Sequence, residues 1–184
     1  MRTYVGRGVG AHIENKLLSA KKYLLVCSPW IHPEYASKLI GLSKQGVAIR
    51  IITSDSEEKW HQQSLDMFDD ALTPPRRIFG FRKKQEWVRP PIELMVVSER
   101  FIHAKMYIVD GEYAVVGSPN LTQSGLWQNV EYVLIFEGEE AKQIEDDFQT
   151  LWRIYAPTSL KVYEYDITPP KGILQTIIEK VFRK

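Results

Sequence analysis

One cysteine, Cys27, stands among 184 residues. A single thiol excludes an internal disulfide and argues against structural zinc, so a reducing compartment fits best. Long apolar runs are missing too. No stretch approaches the ~20 residues that span a bilayer, and the opening "MRTYVGRGVGAHIENK" lacks the apolar core of a signal peptide. Charge of one sign is also lacking: a formal net charge of +1 gives no global pull on a polyanion, so any affinity for nucleic acid must be local. No internal repeat is visible. These absences predict a cytoplasmic, soluble protein. A chain of this length, 44% hydrophobic and 26% charged, has enough material for one well-buried core and is short for two.

Helical and strand patterns alternate in the first half. Residues 11–22 read as a short helix and 23–28 as a buried strand. "HPEYASKLIGLSKQG" has Pro33 in its first turn and Gly46 at its close, which marks a helix, and "VAIRIIT" follows as a strand, completing a β-α-β unit. "SDSEEKWHQQSLDMFDDAL" places Ser and Asp caps before a helix carrying Trp60, Leu65, Phe68 and Leu72 on one stripe, ending before Pro74. "IELMVVS", "FIHAKMYIVD", "YAVVGS" and "NVEYVLIF" are strands, and "EEAKQIEDDFQTLWRIYA" is an amphipathic helix. The expected architecture is α/β: a mixed, mostly parallel sheet with helices on both faces, plus a C-terminal amphipathic helix. Residues 1–156 are read as the catalytic domain with a basic-aromatic insertion at 74–91. Residues 157–184 are read as a strand and amphipathic helix packed on the domain or on a dimer.

The stretch "HAKMYIVDGEYAVVGSPN" concentrates chemistry. Alternate side chains of a strand share a face, so His103 and Lys105 point the same way. Asp110-Gly111 signals a short hairpin. With Asp110 and Gly111 as the turn, His103 lies opposite Ser118; with Gly111 and Glu112 as the turn, it lies opposite Asn120 and Lys105 opposite Ser118. Either register puts His103, Lys105, Ser118 and Asn120 on one face, whereas a one-residue slip would send Ser118 and Asn120 to the reverse side. An imidazole, an ammonium, a hydroxyl and an amide with no acid beside them in the strand pair suit a phosphate. Lys105 offers charge, Asn120 amide donors, and Gly117 close backbone approach. His103 alone has a nucleophilic nitrogen with a pKa near neutrality, so it is the candidate to attack phosphorus and form a phosphohistidine.

His103-x-Lys105-x4-Asp110-x6-Gly117-Ser118-x-Asn120 resembles the HKD motif of the phospholipase D superfamily. The organisation from about residue 11 to 155 looks like its single-motif members, which include bacterial endonucleases and a mitochondrial-surface phosphodiesterase group. The resemblance implies His103 as nucleophile, Lys105 and Asn120 as phosphate holders, Ser118 as a supporting hydrogen-bonding group and Asp110 as a structural brace. It also implies that Glu131 fixes the His103 tautomer, and that no metal or other cofactor is needed. A single motif supplies half a site. The leaving oxygen needs a proton, and His12, His32 and His61 lack a lysine two residues on, so a second His103 from a homodimer is expected to act as general acid.

Other motifs carry less. His12 and His61 read as surface or packed histidines, and His32, at a strand end where open sheets bind ligands, is a candidate for lining the cleft. Gly6, Gly8 and Gly10 follow no clear strand and read as a flexible or extended N-terminal segment. The stretch from Arg76 to Arg89 interleaves Arg76, Arg77, Arg82, Lys83 and Lys84 with Phe79, Phe81 and Trp87. It is either a nucleic-acid-binding protrusion, with phosphate contacts from the cations and base stacking on the rings, or a solvated insertion whose aromatics pack on the core; an anionic lipid surface is a further option. The functions in contention are thus an endonuclease acting on DNA or RNA, a phospholipid phosphodiesterase with a membrane-facing surface, and a nucleic-acid-binding module with suppressed hydrolysis.

Overall fold

A computed structural model describes residues 1–74, 87–159 and 161–163. Eight strands form one sheet in the order β1-β7-β6-β5-β2-β3-β4-β8. The strands are β1 (Arg2–Gly6), β2 (Tyr23–Cys27), β3 (Ala48–Ser54), β4 (Ile92–Val97), β5 (Met106–Val109), β6 (Tyr113–Gly117), β7 (Glu131–Glu137) and β8 (Lys161–Tyr163). The helices are α1 (Gly10–Leu17), α2 (Pro33–Ser43), α3 (Lys59–Leu72) and α4 (Glu139–Tyr155).

Alternation along the strands divides the core. Leu24, Val26, Ile49, Ile51, Leu94, Tyr107 and Val115 face α1, α2 and α3, while Leu25, Ile52, Met95, Ile108 and Ala114 face α4 through Phe148 and Trp152. Helices therefore cover both faces, and the sheet is mixed as expected. Its balance is not mostly parallel: β2/β3 and β3/β4 are parallel, while the other five pairings are antiparallel. The reason is the connections. Only α2 and α3 supply helical crossovers between parallel neighbours, whereas β5 and β6 are joined by a tight hairpin and the chain returns beside β6 as β7 after the 118–130 connection.

Two further differences are local. The N-terminal segment is not merely extended: it is edge strand β1, paired antiparallel with β7. Its short mixed sequence, "RTYVG", gives little alternation to read. Helix α3 starts at Lys59 rather than at the Ser/Asp cluster, because Ser54 completes β3 and Asp55–Glu58 form a loop. Among the described residues no helix is long and apolar enough to cross a membrane. The C-terminal helix expected at 171–184 lies outside the described residues.

Candidate active site

The hairpin adopts neither of the two registers expected. Val109 pairs with Tyr113 and Met106 with Val116, leaving Asp110, Gly111 and Glu112 in the loop. Asp110 (φ 55°) and Gly111 (φ 70°) take left-handed backbone, which Asp tolerates better than most residues. Lys105 thus comes opposite Gly117, whose N–H donates to the Lys105 carbonyl at 3.3 Å. Continued as a regular ladder, this register would turn Ser118 and Asn120 away from His103. The ladder stops instead. β5 begins after Lys105, β6 ends at Gly117, and Pro119 has no N–H with which to extend it. The chain swings toward β2, and His103, Lys105, Gly117, Ser118, Asn120 and Tyr132 line one open pocket of about 410 Å³.

Buried polar anchors hold this irregular geometry. Tyr107 Oη donates to the Pro119 carbonyl at 2.8 Å, and Ser28 Oγ accepts the Leu121 N–H at 3.0 Å while donating to the Trp30 carbonyl at 2.7 Å. On the nucleophile side, Ser54 Oγ accepts the Ile102 N–H at 2.8 Å, fixing the residue before His103. Ser28 and Ser54 stand at the carboxyl ends of β2 and β3, the edge of an open α/β sheet where ligands gather. Sequence reasoning passed over both serines, since the loop N–H groups they anchor, Leu121 and Ile102, lie 93 and 48 residues away.

Within the pocket, Lys105 Nζ lies 3.0 Å from His103 Nε2 and 2.9 Å from the His103 carbonyl. Burial pulls the Lys105 pKa below its ordinary value, opposed by the charges of Glu131 and of Cys27 when ionised. Burial in turn pushes the Cys27 thiol up to about 12, so it stays neutral beneath the site. Asn120 Oδ1 is buried without a hydrogen-bond partner among the described residues. A buried orphan acceptor of this kind costs about 1–3 kcal/mol, and it is the Nδ2 of this amide, not Oδ1, that can donate to a phosphate oxygen.

The resemblance implied that Glu131 fixes the His103 tautomer; its hydrogen bonds among the described residues go instead to Ser118 and Asn129. Its Oε2 accepts from Ser118 Oγ, and its Oε1 from Asn129 Nδ2 at 3.2 Å. Ser118 Oγ also accepts the Tyr132 N–H at 3.0 Å, so this hydroxyl ties the loop to β7. Gly117 has a comparable structural duty. A Cβ there would stand 2.2 Å from the Tyr132 carbonyl, so the close backbone approach it permits is to β7.

Asp110 is distant from the pocket. Its carboxylate accepts the backbone N–H groups of Lys21, Lys22 and Tyr23 at 2.8–2.9 Å. Burial raises its pKa, but these bonds, from Tyr23, Lys21 and Lys22, outweigh burial and hold it below the usual carboxylate value.

The remaining histidines separate. His61 is buried, accepting the Ile31 N–H at Nδ1 (3.1 Å) and donating from Nε2 to the Ser54 carbonyl (2.9 Å). His12 stacks on Tyr4 with centroids 3.8 Å apart. His32 caps α2 through Nδ1, and its backbone N–H donates to Leu121, next to Asn120 but not among the residues lining the pocket. Of the basic-aromatic segment, Arg76, Arg77, Phe79, Phe81, Arg82, Lys83 and Lys84 lie outside the described residues. Trp87 is described, and it lines a groove with Ser43, Lys44 and Asp70 at the amino ends of β3 and β4, the opposite edge of the sheet from His103. Phe101, Trp30 and Tyr132, which the sequence did not flag, stand at the site instead.

Comparison with known proteins agrees with this fold. Residues 13–152 match the family described as "Cardiolipin synthase, PLD-like domain". Cardiolipin synthase A of Cronobacter sakazakii is 23% identical over 140 residues, 71% of this chain but 25% of that protein. Mitochondrial cardiolipin hydrolase of Danio rerio is 28% identical over 148 residues, 79% of this chain and 58% of the relative. The chain thus spans about a quarter of the synthases it matches. Among solved structures, the phospholipase D family member Nuc from Salmonella typhimurium superposes with a TM-score of 0.63 at 17% identity, covering 89% of this chain and 99% of Nuc, which speaks for the fold. With His103, Lys105, Ser118 and Asn120 of the motif gathered in one pocket on this fold and the family profile matching residues 13–152, the chain belongs to the PLD-like domain family of the phospholipase D superfamily.

Proposed function

We propose that the protein is a metal-independent phosphodiesterase acting on nucleic acid, most simply an endonuclease, with an active site completed by a second copy of the chain. The observation that carries this is the pocket that joins His103 Nε2, a buried Lys105 ammonium and Asn120. In the first step Nε2 of His103 attacks phosphorus, and the P–O bond to the leaving alcohol breaks. The leaving oxygen takes a proton from the imidazolium of His103 of the second copy. In the second step that neutral imidazole removes a proton from water, the hydroxide attacks phosphorus, and the P–N bond breaks to restore the first histidine. Lys105 and Asn120 hold the non-bridging oxygens in both steps, while Glu131 and Ser118 brace the loop that carries Asn120.

An exposed apolar face supports the reading of a shared site. Val5 (74% exposed), Val130 (70%) and Tyr132 (46%) lie on one face of the β1/β7 edge, with Tyr132 reaching the pocket. The same apolar face favours one alternative, a phospholipid phosphodiesterase that meets a bilayer there, in keeping with the cardiolipin-directed names of its relatives. Incubating labelled single- and double-stranded DNA and RNA in EDTA, beside His103→Ala, tests the primary reading. Cleavage by the native chain alone supports it. Release of headgroup from phospholipid vesicles without nucleic-acid cleavage would establish the alternative.

A further inference from the structure

A run of aromatic rings leads away from the nucleophile. Phe101, 50% exposed, has its ring centroid 5.8 Å from that of His103 and 5.2 Å from that of Trp30. The indole Nε1–H of Trp30 is taken by Ser56 Oγ at 3.2 Å, which orients its plane. Beyond it, Trp30 and Trp60 wall an open recess of about 600 Å³ whose lip carries Glu57, Glu58 and Lys59.

The chemistry of this recess is specific in what it refuses. Two exposed carboxylates against one ammonium discourage a second phosphate or an anionic lipid surface, and they are poor company for an acyl chain. A flat ring with N–H donors on its edge suits both parts, since its face stacks on the aromatics and its amino group meets the carboxylates. A nucleobase has both features, and it can present its face here only when unpaired.

Building on the nucleic-acid reading above, we propose that Phe101 and Trp30 form a stacking platform for the base next to the scissile phosphate, with Glu57 and Glu58 accepting from that base's exocyclic amino group. The recess then selects unpaired amino-bearing bases over thymine and uracil, which lack that group. Phe101 and Trp30 are specificity-determining residues that touch substrate without taking part in bond making.

The test uses three polymers of equal length and charge in EDTA: oligodeoxycytidylate, oligothymidylate and an abasic tetrahydrofuran phosphodiester. The native chain should cleave them in that order of rate. Phe101→Leu, which keeps bulk but removes the ring, should bring the ratio of base-bearing to abasic cleavage down about 5- to 150-fold, the range a base-aromatic stack is worth. Glu57→Gln with Glu58→Gln should erase the cytosine-over-thymine preference. Equal losses on all three polymers in Phe101→Leu would overturn the platform, because the ring would then only support His103. Equal native rates on base-bearing and abasic polymers would overturn it as well. Failure of the native chain to cleave any oligomer would defeat the nucleic-acid reading itself. Release of choline from a phosphocholine diester, lost in Phe101→Leu, would reassign the recess to a cationic amino alcohol.

Discussion

Lys105 Nζ stands 3.0 Å from His103 Nε2. An ammonium has only donors to offer, so the ring nitrogen facing it carries the lone pair and Nδ1 carries the proton. The reactive nitrogen is thereby held bare beside the cation that would bind a phosphate oxygen. Substrate must take this ammonium from the imidazole, which frees Nε2 as phosphate arrives.

His103→Ala should lower phosphodiester cleavage by about 10⁴-fold or more, since a nucleophile and a general acid are lost together. The side chain is exposed, so thermal stability should stay within about 0.5 kcal/mol of the native chain. Radiolabel kept on the native chain after a denaturing alkaline quench, which spares the acid-labile P–N bond, and absent from the variant, is the accompanying check.

Cleavage should fail on the alkaline side earlier than an ordinary lysine would dictate. Burial lowers the Lys105 pKa, and phosphate binding needs the ammonium, so activity falls as pH rises through that lowered value. A profile of kcat/KM against pH reads the limb directly, and a limb at or above the usual lysine range would contradict the assignment.

Asp110→Asn should destabilise the fold by about 1–3 kcal/mol. The amide retains one acceptor oxygen for Lys22 and Tyr23 but turns an NH₂ toward the Lys21 N–H, which Oδ2 now accepts at 2.9 Å. The folded-state pKa of Asp110 is depressed, so its contribution is present above the unfolded carboxylate pKa and is lost as pH falls through the folded one. Denaturant melts from pH 7 to pH 2 should show a shallower acid decline in the variant.

Gly117→Ala should cost at least about 1–3 kcal/mol, because the new methyl meets the Tyr132 carbonyl at 2.2 Å and Val133 Cα at 3.0 Å, both backbone atoms. Activity should fall with it as β6 and β7 separate beneath Ser118 and Glu131. Gly41→Ala is the contrasting case: it lies in α2 with open space around its Cβ position, and it should gain about 0.5–1 kcal/mol.

Tyr132→Arg with Val5→Glu, placed on the exposed face at the β1/β7 edge, should shift sedimentation to monomer and abolish cleavage together. Full activity in a chain that sediments as monomer would refute the shared site. Mixed native and His103→Ala chains should give heterodimers of severely reduced rate.

Much of the fold was legible because its signals are local. Pro33 and the apolar stripe of α2 mark that helix, and the apolar runs of β2, β3 and β4 mark buried strands. β1 escaped, since five mixed residues become a strand only through pairing with β7, over 120 positions away. The basic stretch before β4 drew notice by composition, yet its described end, Trp87, returns to the far edge of the sheet. Composition carries no information about which edge a loop leaves from.

The motif spacing alone determined that His103, Lys105, Ser118 and Asn120 flank one tight turn. How they meet was decided by tertiary contacts. Gly117 lies opposite Lys105, Pro119 ends the ladder, and Tyr107 and Ser28 redirect the chain into the pocket. Phe101 beside the nucleophile, Trp30 beside Phe101 and Trp60 across the recess, from three separate segments, come together only once β2, β3 and β4 align their carboxyl ends. Periodicity fixes the face of a side chain while a strand continues; where the strand stops, direction is set by whichever distant hydrogen bonds capture the backbone.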